Sequence, residues 1–462
     1  MVIAGGQKDT RTMAAVSQEP AAGEDAGTYP LLWSKSLEKL RKNKKGKDGS
    51  DKLLRFDDAA YIAWKVIAWK RCLTTCKSFS SLKSNEAEAL GFLSKGWIEN
   101  ALALPDSARV KRVEKQAIGE GLGFLSMTFR LSVSYEGDEV ATDLPSRLIL
   151  KVPGVYEQGF EAIAKETDCY RREEGFYRTV LPILGQHRCK MRVPKLYSSE
   201  VVQGGVRILM EDLGPLGYAV NQIDGLSFNQ VKPFVVMAAD LHAIFWDGRV
   251  EVPQCVAKAT DSRTFIKRFN TSFVEKYDEF LATGGLEAFN VGIDKREILE
   301  IAAKIKESAG VILEWVSERA PQTLIHSDLR ADNLIIGNAP GSSAVLDWQL
   351  LSTGPGVYDL GDLVVKSMTV EDNAMHLGDL LRLYHSTLLE RGVRNYAYAD
   401  LLRDFKFSIL NHITLVFAIG VDGYDERGEL IADWKCFALC RVMLRRLVRC
   451  ILDFDCFSVL AQ

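Results

Sequence analysis

The most constraining part of this sequence is the segment from Thr323 to Asp362. His326, Asp328 and Asn333 form the pattern H-x-D-x-x-x-x-N directly after the apolar letters TLI. A Gly-Ser turn and the apolar run SAVL then lead to Asp347, the first residue of the triplet D-W-Q. Short apolar runs on either side of a glycine-containing turn are typical of a hairpin. The pattern therefore predicts a hairpin that brings these polar side chains together.

This set of side chains is typical of phosphoryl transfer. The reaction needs a carboxylate that accepts the proton of an attacking hydroxyl, and oxygen ligands that hold Mg²⁺ against the phosphates. The alternative interpretation is structural, a polar turn that Asp and Asn side chains cap without any catalytic role. The apolar strand before His326 and the additional carboxylate of Asp347 favour the catalytic interpretation.

Length and composition limit the other classes of protein. The chain has 462 residues, of which 26% are charged and 47% are hydrophobic, and its formal net charge is -3. Such a composition is typical of globular proteins, and the near-neutral charge argues against a dedicated nucleic-acid binder. No apolar run reaches the ~18 residues of a membrane-spanning helix. We therefore expect neither an integral membrane protein nor a nucleic-acid partner.

The predicted location is cytoplasmic. The first residues lack the charged, apolar and small-residue order of a secretory signal, and they contain acidic residues that disfavour a transit peptide. The nine cysteines are not clustered, which is typical of buried thiols in a reducing compartment.

The N-terminal part of the chain is predicted to form a tail and an extension. Residues 1–56 have almost no periodic apolar pattern and include the lysine-rich stretch from Lys35 to Arg55, so we expect a disordered tail with a solvated basic segment. Residues 57–107 show helical spacing and are predicted to form a helical extension, which ends with a short amphipathic helix from about Lys95 to Leu104.

The rest of the chain changes from strand-like to helical patterns. Residues 108–213 are predicted to form a sheet with one helix, and residues 214–462 are predicted to form long helices, interrupted near 323–350 by two short strands. Within the first region, the predicted elements are strands at Ser126 to Tyr135, Arg147 to Val152 and Val206 to Met210, and a helix at Glu161 to Leu181.

The strings H-x-D-x-x-x-x-N, D-W-Q and G-P-G-V-Y-D-L together resemble the aminoglycoside phosphotransferase and choline kinase superfamily. Within it, the sequence is most similar to the ecdysteroid-kinase-like, or CHK-kinase-like, family. The resemblance implies an α+β, bilobal protein kinase-like fold. Its small antiparallel-sheet N-lobe, residues 108–213, would bind ATP, and its larger, mainly helical C-lobe, residues 214–462, would carry the catalytic and substrate-binding residues.

The resemblance also implies roles for single residues. Asp328 would be the catalytic base, and Asn333 and Asp347 would be Mg²⁺ ligands. Asp359, in the later D-L pair, would brace the catalytic loop from the following helix. One position departs from the family pattern, because Ser327 stands where the family usually has glycine; its side chain could narrow the substrate entry or simply be tolerated.

A kinase of this type also needs ATP-binding parts upstream, in a fixed order. The turn I-G-E-G-L-G-F-L-S offers Gly119, Gly121 and Gly123, whose backbone amides could approach the phosphates without a Cβ clash. Lys151 ends the string R-L-I-L-K, and a charged residue in this apolar strand needs a partner. A kinase supplies this partner with the phosphates and with a glutamate from a helix.

The string R-R-E-E-G-F-Y offers Glu173 or Glu174 as that glutamate. The family spacing favours Glu173, and the alternative stays open. The last upstream part is a hinge after a strand, where Glu211, Asp212 and Leu213 stand in the expected place and the backbone would meet the adenine edge.

The resulting hypothesis is a small-molecule kinase that uses ATP and Mg²⁺ as cofactors. It would move the γ-phosphoryl group of ATP to a hydroxyl of a small-molecule substrate, with Asp328 as base. The alternative is a catalytically inactive, nucleotide-binding pseudokinase that acts as an interaction module. His242, in a helix that resembles the family's L-A-x-L-H-A segment, is expected to be a packed residue and not a catalyst.

Overall fold

The computed structural model describes residues 89–118, 126–136, 144–153, 167–282, 292–421 and 435–461, all of which lie in one compact unit, Ala63–Gln462. The predicted tail at 1–56 and the predicted extension up to residue 88 lie outside the described residues. The same holds for the glycine-rich turn with Gly119, Gly121 and Gly123.

Five strands form the antiparallel sheet of the N-lobe, in the order β1-β2-β3-β5-β4. The strands are β1 (Arg109–Ile118), β2 (Ser126–Glu136), β3 (Arg147–Pro153), β4 (Leu196–Val202) and β5 (Gly205–Glu211). Side chains alternate between the two faces of a strand. In β3, Leu148, Leu150 and Val152 are buried on one face, so Lys151 lies on the opposite face.

A short helix and an edge strand border this sheet. Helix α1 (Lys95–Ala101) begins after Ser94, whose hydroxyl oxygen accepts a hydrogen bond from the Trp97 amide. Strand β4 was not expected from its sequence, because its residues are half-buried or exposed and supply no apolar face. This is typical of a strand at the edge of a sheet.

The helix of the N-lobe extends further than predicted. Helix α2 (Cys169–Gly175) continues through a π-helical segment, Phe176–Val180, into α3 (Leu181–Gln186). The predicted end at Leu181 is therefore too early. Pro182 lies in the first turn of α3, where a proline is tolerated in a helix.

The C-lobe consists mainly of helices. They are α4 (Phe228–Phe245), α5 (Phe265–Glu275), α6 (Tyr277–Ala282), α7 (Lys295–Glu314), α8 (Val357–Leu360), α9 (Val370–Glu390), α10 (Tyr398–Val421) and α11 (Lys435–Asp453). Helix α4 begins with a capping box between Ser227 and Gln230. Among the helices that the structure describes, none combines the length and the apolar character needed to span a membrane.

Short strands interrupt these helices more often than predicted. They are β6 (Gly217–Ala219), β7 (Gln322–Ile325), β8 (Leu334–Gly337), β9 (Ala344–Val345) and β10 (Ser352–Pro355). Strand β7 pairs with β10, and β8 pairs with both β6 and β9. The prediction of two strands near 323–350 is therefore wrong in number. Strands of two to four residues are too short to show periodicity in the sequence.

The predicted fold class is confirmed: an α+β chain with a small antiparallel sheet followed by a larger helical part. The predicted hairpin is present as β8 and β9, in which Leu334 faces Val345. It lies between the two polar strings that identified the candidate site.

Asp212 connects the sheet to the segment that enters the C-lobe. It directly follows β5, and its side chain is only 2% exposed. Its Oδ2 accepts hydrogen bonds from the Nε atoms of Arg130 on β2 and Arg147 on β3, each at 2.9 Å. Its Oδ1 accepts a bond from the Gly214 amide, also at 2.9 Å. One carboxylate thus fixes two strands and the following turn.

Replacing this carboxylate should destabilise the fold. We expect Asp212→Ala to lower the free energy of unfolding by about 2 kcal/mol, because three hydrogen bonds to a charged acceptor are lost. Urea denaturation measures the change. Glu200→Ala is the control, since Glu200 makes an exposed pair with Arg207 and such pairs contribute at most about 1 kcal/mol. Equal losses in both variants would contradict the anchoring role of Asp212.

Candidate active site

Lys151 joins three parts of the molecule. Its Nζ lies 2.6 Å from Oε2 of Glu173, a residue of α2. The same Nζ lies 2.6 Å from Oδ1 of Asp347, a residue that follows β9. The Lys151 side chain is 12% exposed and that of Glu173 is 2% exposed. Burial opposes the charge of the ammonium, but the two carboxylates outweigh this effect and raise the pKa of Lys151. We call this arrangement the lysine triad.

The structure distinguishes the two candidate glutamates. Glu173 contacts Lys151, whereas Glu174 accepts a hydrogen bond at 2.8 Å from Arg178 Nε, one turn further along the helix. Arg178 is exposed, so Glu174 belongs to a surface ion pair.

The predicted catalytic loop, residues 326–333, begins at the end of β7, and Asp359 of α8 holds its first two residues. The Oδ2 atom of Asp359 accepts a hydrogen bond from the His326 amide at 2.8 Å, and its Oδ1 accepts one from the Ser327 amide at 2.9 Å. His242 Nε2 lies 3.2 Å from the same Oδ2, and Tyr384 Oη lies 2.8 Å from His242 Nδ1. The bracing contact predicted for Asp359 is therefore confirmed, and His242 is a buried, hydrogen-bonded helix residue as expected.

Ser327 has a backbone conformation that favours glycine. Its φ is +68°, in the left-handed region where a Cβ atom is disfavoured. The side chain is buried, and its Oγ lies 2.7 Å from Ser352 Oγ on β10. The hydroxyl is thus directed towards β10 within the protein, so it does not narrow an entry from the surface.

Asp328 lies among side chains that fix its orientation. Asn333 Nδ2 donates hydrogen bonds to the Asp328 carbonyl at 2.8 Å and to Oδ2 at 3.0 Å. Arg330 Nε lies 3.1 Å from Oδ1 and 3.2 Å from Oδ2 of the same carboxylate. Arg330 also forms an ion pair with Asp332. The carboxylate predicted to act as base is therefore held on two sides.

Burial opposes the charge of Arg330, but Asp328 and Asp332 outweigh it and raise the pKa of the guanidinium further. Asp347 acts on Arg330 in the same direction. The carboxylates of Asp328 and Asp347 therefore both favour the charged form of Arg330.

Asp347 is placed by the hairpin and by its neighbour in the sequence. The Leu346 amide donates to the Asn333 carbonyl at 2.8 Å, so the residue before β8 and the segment after β9 meet at this point. Asp347 has a φ of +63° and its Oδ2 accepts a bond from Gln349 Nε2 at 3.2 Å.

The buried tryptophan of D-W-Q packs between the lobes. The Trp348 ring stacks on Phe176 with centroids 3.9 Å apart and planes 4° apart, and it lies 4.6 Å from the His326 ring. His326 Nε2 lies 2.8 Å from the Leu346 carbonyl. This packing fixes the start of the catalytic loop against the segment that contains Asp347.

The residues present fit a magnesium ion that is shared with a nucleotide. Among the residues that the structure describes, no group of three or more His, Cys, Asp and Glu side chains could hold a metal ion alone. Mg²⁺ commonly takes one or two carboxylates and completes its shell with phosphate oxygens and water. Asn333 and Asp347 supply two oxygen-bearing side chains at the two ends of the β8–β9 hairpin, and the Asp347 side chain is 25% exposed.

The predicted hinge lies against this hairpin. Glu211 ends β5, and its amide donates to the Lys195 carbonyl at 2.9 Å. Leu213 is buried in a small cluster with Ile335 of β8 and Ala344 of β9. The segment predicted to meet adenine and the hairpin predicted to hold the metal are therefore packed together.

Sequence reasoning missed several side chains near Asp328. Arg330 and Asp332 are within four letters of it, so a charged pair beside the motif was a visible signal. Gln222 had no such signal: it is far away in the chain, yet its Oε1 lies 3.3 Å from Arg330 Nη1.

A sequence model of the ecdysteroid kinase-like family matches residues 120–395. A search among curated proteins finds no match. Similar solved structures include choline kinase from Cryptosporidium parvum Iowa II, with a TM-score of 0.45 and 14% identity, covering 79% of this chain and 93% of that one. A microcompartment-associated aminopropanol kinase has a TM-score of 0.44 and 16% identity, over 79% of this chain and 98% of its own. Plasmodium vivax ethanolamine kinase has a TM-score of 0.42 and 14% identity, over 76% of this chain and 85% of its own.

The conformation of Ser327 leads to a prediction about two substitutions. Ser327→Ala loses the hydrogen bond to Ser352 but keeps the left-handed backbone, so we expect the free energy of unfolding to fall by about 1 kcal/mol. Ser327→Gly loses the same bond but relieves a backbone cost of roughly 1–2 kcal/mol, so its net change should be close to zero. Urea denaturation of both variants gives the comparison. A larger loss in the glycine variant would show that the positive φ is not a source of strain.

Proposed function

The chain belongs to the ecdysteroid kinase-like family, and from this premise we propose that it is a small-molecule kinase. It transfers the γ-phosphoryl group of ATP to a hydroxyl of a small-molecule substrate in the cytoplasm. The N-lobe, residues 108–213, binds the nucleotide, and the C-lobe, residues 214–462, binds the acceptor.

The observation that carries the proposal is the lysine triad beside the catalytic loop. Lys151 contacts both Glu173 and Asp347. The amide of Leu346, directly before Asp347, donates a hydrogen bond to the carbonyl of Asn333, whose side chain contacts Asp328. A phosphotransferase needs a cation for the phosphates and a carboxylate for the acceptor hydroxyl in one site. The contacts bring these groups into one continuous network.

In the proposed reaction, Asp328 orients the acceptor hydroxyl and accepts its proton as the phosphoryl group is transferred. Asn333 and Arg330 hold the carboxylate in place while this happens. Lys151 binds phosphate oxygens, and Glu173 keeps the ammonium oriented.

In the proposal, the nucleotide site also includes the glycine-rich turn, the hinge and the metal ligands. Gly119, Gly121 and Gly123 would cover the phosphates with backbone amides, and the backbone from Glu211 to Leu213 would meet the adenine edge. Asn333 and Asp347 would hold Mg²⁺, which when bound neutralises charge on the phosphates.

Asp328→Asn tests the assignment of the base. The variant keeps the side-chain shape but cannot accept the proton, so we expect turnover to fall by about 100-fold to 10,000-fold while ATP binding is retained. The acceptor is first identified by mass spectrometry, as a phosphorylated product formed from a metabolite extract with Mg²⁺ and ATP. Initial rates with that acceptor then give turnover, and a thermal shift with Mg²⁺ and ATP gives nucleotide binding.

Asp379→Asn is the matched control, because Asp379 makes an exposed pair with Arg382 on α9. It should have wild-type turnover. Full activity of a pure Asp328→Asn sample would refute Asp328 as the base. A wild-type protein that binds ATP but phosphorylates nothing in the extract would instead favour the pseudokinase alternative.

Asp347→Asn tests the metal ligand. We expect the Mg²⁺ concentration for half-maximal rate to rise by about tenfold or more, because a neutral amide binds a hard cation more weakly than a carboxylate does. Excess Mg²⁺ should restore part of the rate in this variant but none in Asp328→Asn. An unchanged Mg²⁺ dependence would remove Asp347 from the metal site.

A further inference from the structure

Gln222 links the catalytic loop to a distant part of the C-lobe. It lies between β6 and α4 and is fully buried. Its side-chain Oε1 lies 3.3 Å from Arg330 Nη1, and its main-chain amide donates a hydrogen bond to Asp332 Oδ1 at 2.8 Å. Its Nε2 donates to the Lys366 carbonyl at 3.2 Å. One residue therefore contacts both charged side chains that adjoin Asp328 in the loop.

Arg446 of α11 fixes Gln222 from the other side. Its Nη1 donates hydrogen bonds to the carbonyls of Gln222 at 2.8 Å and Lys366 at 2.7 Å. Its Nη2 donates to the Ile223 carbonyl at 3.1 Å. A Cβ atom at Gly225, where φ is +83°, would lie 2.8 Å from the same Nη2. The glycine leaves space in which the guanidinium can reach these carbonyls.

Arg446 differs in its contacts from another arginine of the same helix, Arg449. Arg446 is 6% exposed, and the three hydrogen bonds described above all go to main-chain carbonyls of other segments. Arg449, three residues further along α11, is half-exposed and pairs with Asp453 of its own helix. The family match ends at residue 395, so α11 lies beyond the matched residues.

A buried guanidinium that binds carbonyls is costly to desolvate, and it holds those carbonyls in one arrangement. Here the fixed segment is the one from which Gln222 contacts Arg330 and Asp332. Arg330 in turn contacts both oxygens of Asp328. If Gln222 moved, Arg330 would lose one of its acceptors and Asp332 would lose an amide donor, so the Asp328 carboxylate would be less well oriented.

We propose that Arg446 is a positioning residue for Asp328, which acts through Gln222 and Arg330, and that α11 is therefore part of the catalytic architecture. This inference rests on the proposed function, because it concerns the orientation of the base. It adds to that function a C-terminal helix outside the family match and a specific path of contacts.

The test compares Arg446→Met and Gln222→Met with the control Arg449→Met. Positioning errors of about 1 Å can cost up to 100-fold in rate, so we expect kcat to fall by about 10-fold to 100-fold in both test variants, with KM for ATP unchanged within about twofold. Arg449→Met should have wild-type kcat. The double variant should lose less than the product of the two single losses, because both act through the same contacts.

Hydrogen exchange measured by mass spectrometry provides a readout that does not need turnover. Peptides that cover residues 220–226 and 326–334 should exchange faster in Arg446→Met than in Arg449→Met, while peptides of the N-lobe sheet should not change. Gln222→Met should show the same pattern in 326–334, which keeps the test available where Arg446→Met does not fold.

The outcomes separate this inference from the proposed function. Unchanged kcat, or faster exchange spread over the whole chain, would overturn the positioning role and leave α11 with a role in stability alone. A rise in KM for ATP without a change in kcat would overturn the positioning role as well. If wild-type protein transfers no phosphoryl group, the proposed function fails, and the local exchange pattern alone supports or overturns the path from Arg446 to the loop.

Discussion

The candidate site depends on the pairing of the buried Lys151 ammonium with two carboxylates. An isolated buried charge is strongly disfavoured, so Lys151 is stable in its strand only when carboxylates from other segments reach it. Glu173 comes from α2 and Asp347 from the end of the hairpin. All three charges are therefore paired only when the sheet, the helix and the C-lobe hairpin are assembled together. Trp348, stacked on Phe176, packs the same junction with apolar surface.

Much of the site could be predicted because its chemistry is local in the sequence. His326, Asp328 and Asn333 lie within one loop, and Asp347 follows it after a short hairpin, so spacing alone indicated a common site. Lys151 was found because a charge at the end of an apolar strand needs a partner. The choice between Glu173 and Glu174 was left open, since it depends on which side of α2 faces the sheet.

The missed features are those without a local signal. Gln222 and Arg446 are 224 residues apart in the chain, and their contact is a side chain on a main-chain carbonyl, which carries no sequence pattern. Strand β4 has no apolar face, and strands β6 and β10 are too short for periodicity. The conformation of Ser327 was also invisible, because a positive φ is expected for glycine and is permitted to serine here only by the surrounding contacts, including the bond to Ser352.

The charges of the candidate site favour binding of a nucleotide together with a metal ion over binding of a metal-free nucleotide. Within the described contacts, four carboxyl groups face only two basic groups, those of Lys151 and Arg330; the carboxyl groups are those of Glu173, Asp328, Asp332 and Asp347. The excess of carboxylates would repel the phosphates of a metal-free nucleotide. Under the proposed function, Asn333 and Asp347 would hold a divalent cation, whose positive charge would offset this excess, and Lys151 would bind a phosphate oxygen. Under that proposal, the acidic surroundings of Asp328 and a requirement for a metal would be two aspects of one electrostatic arrangement.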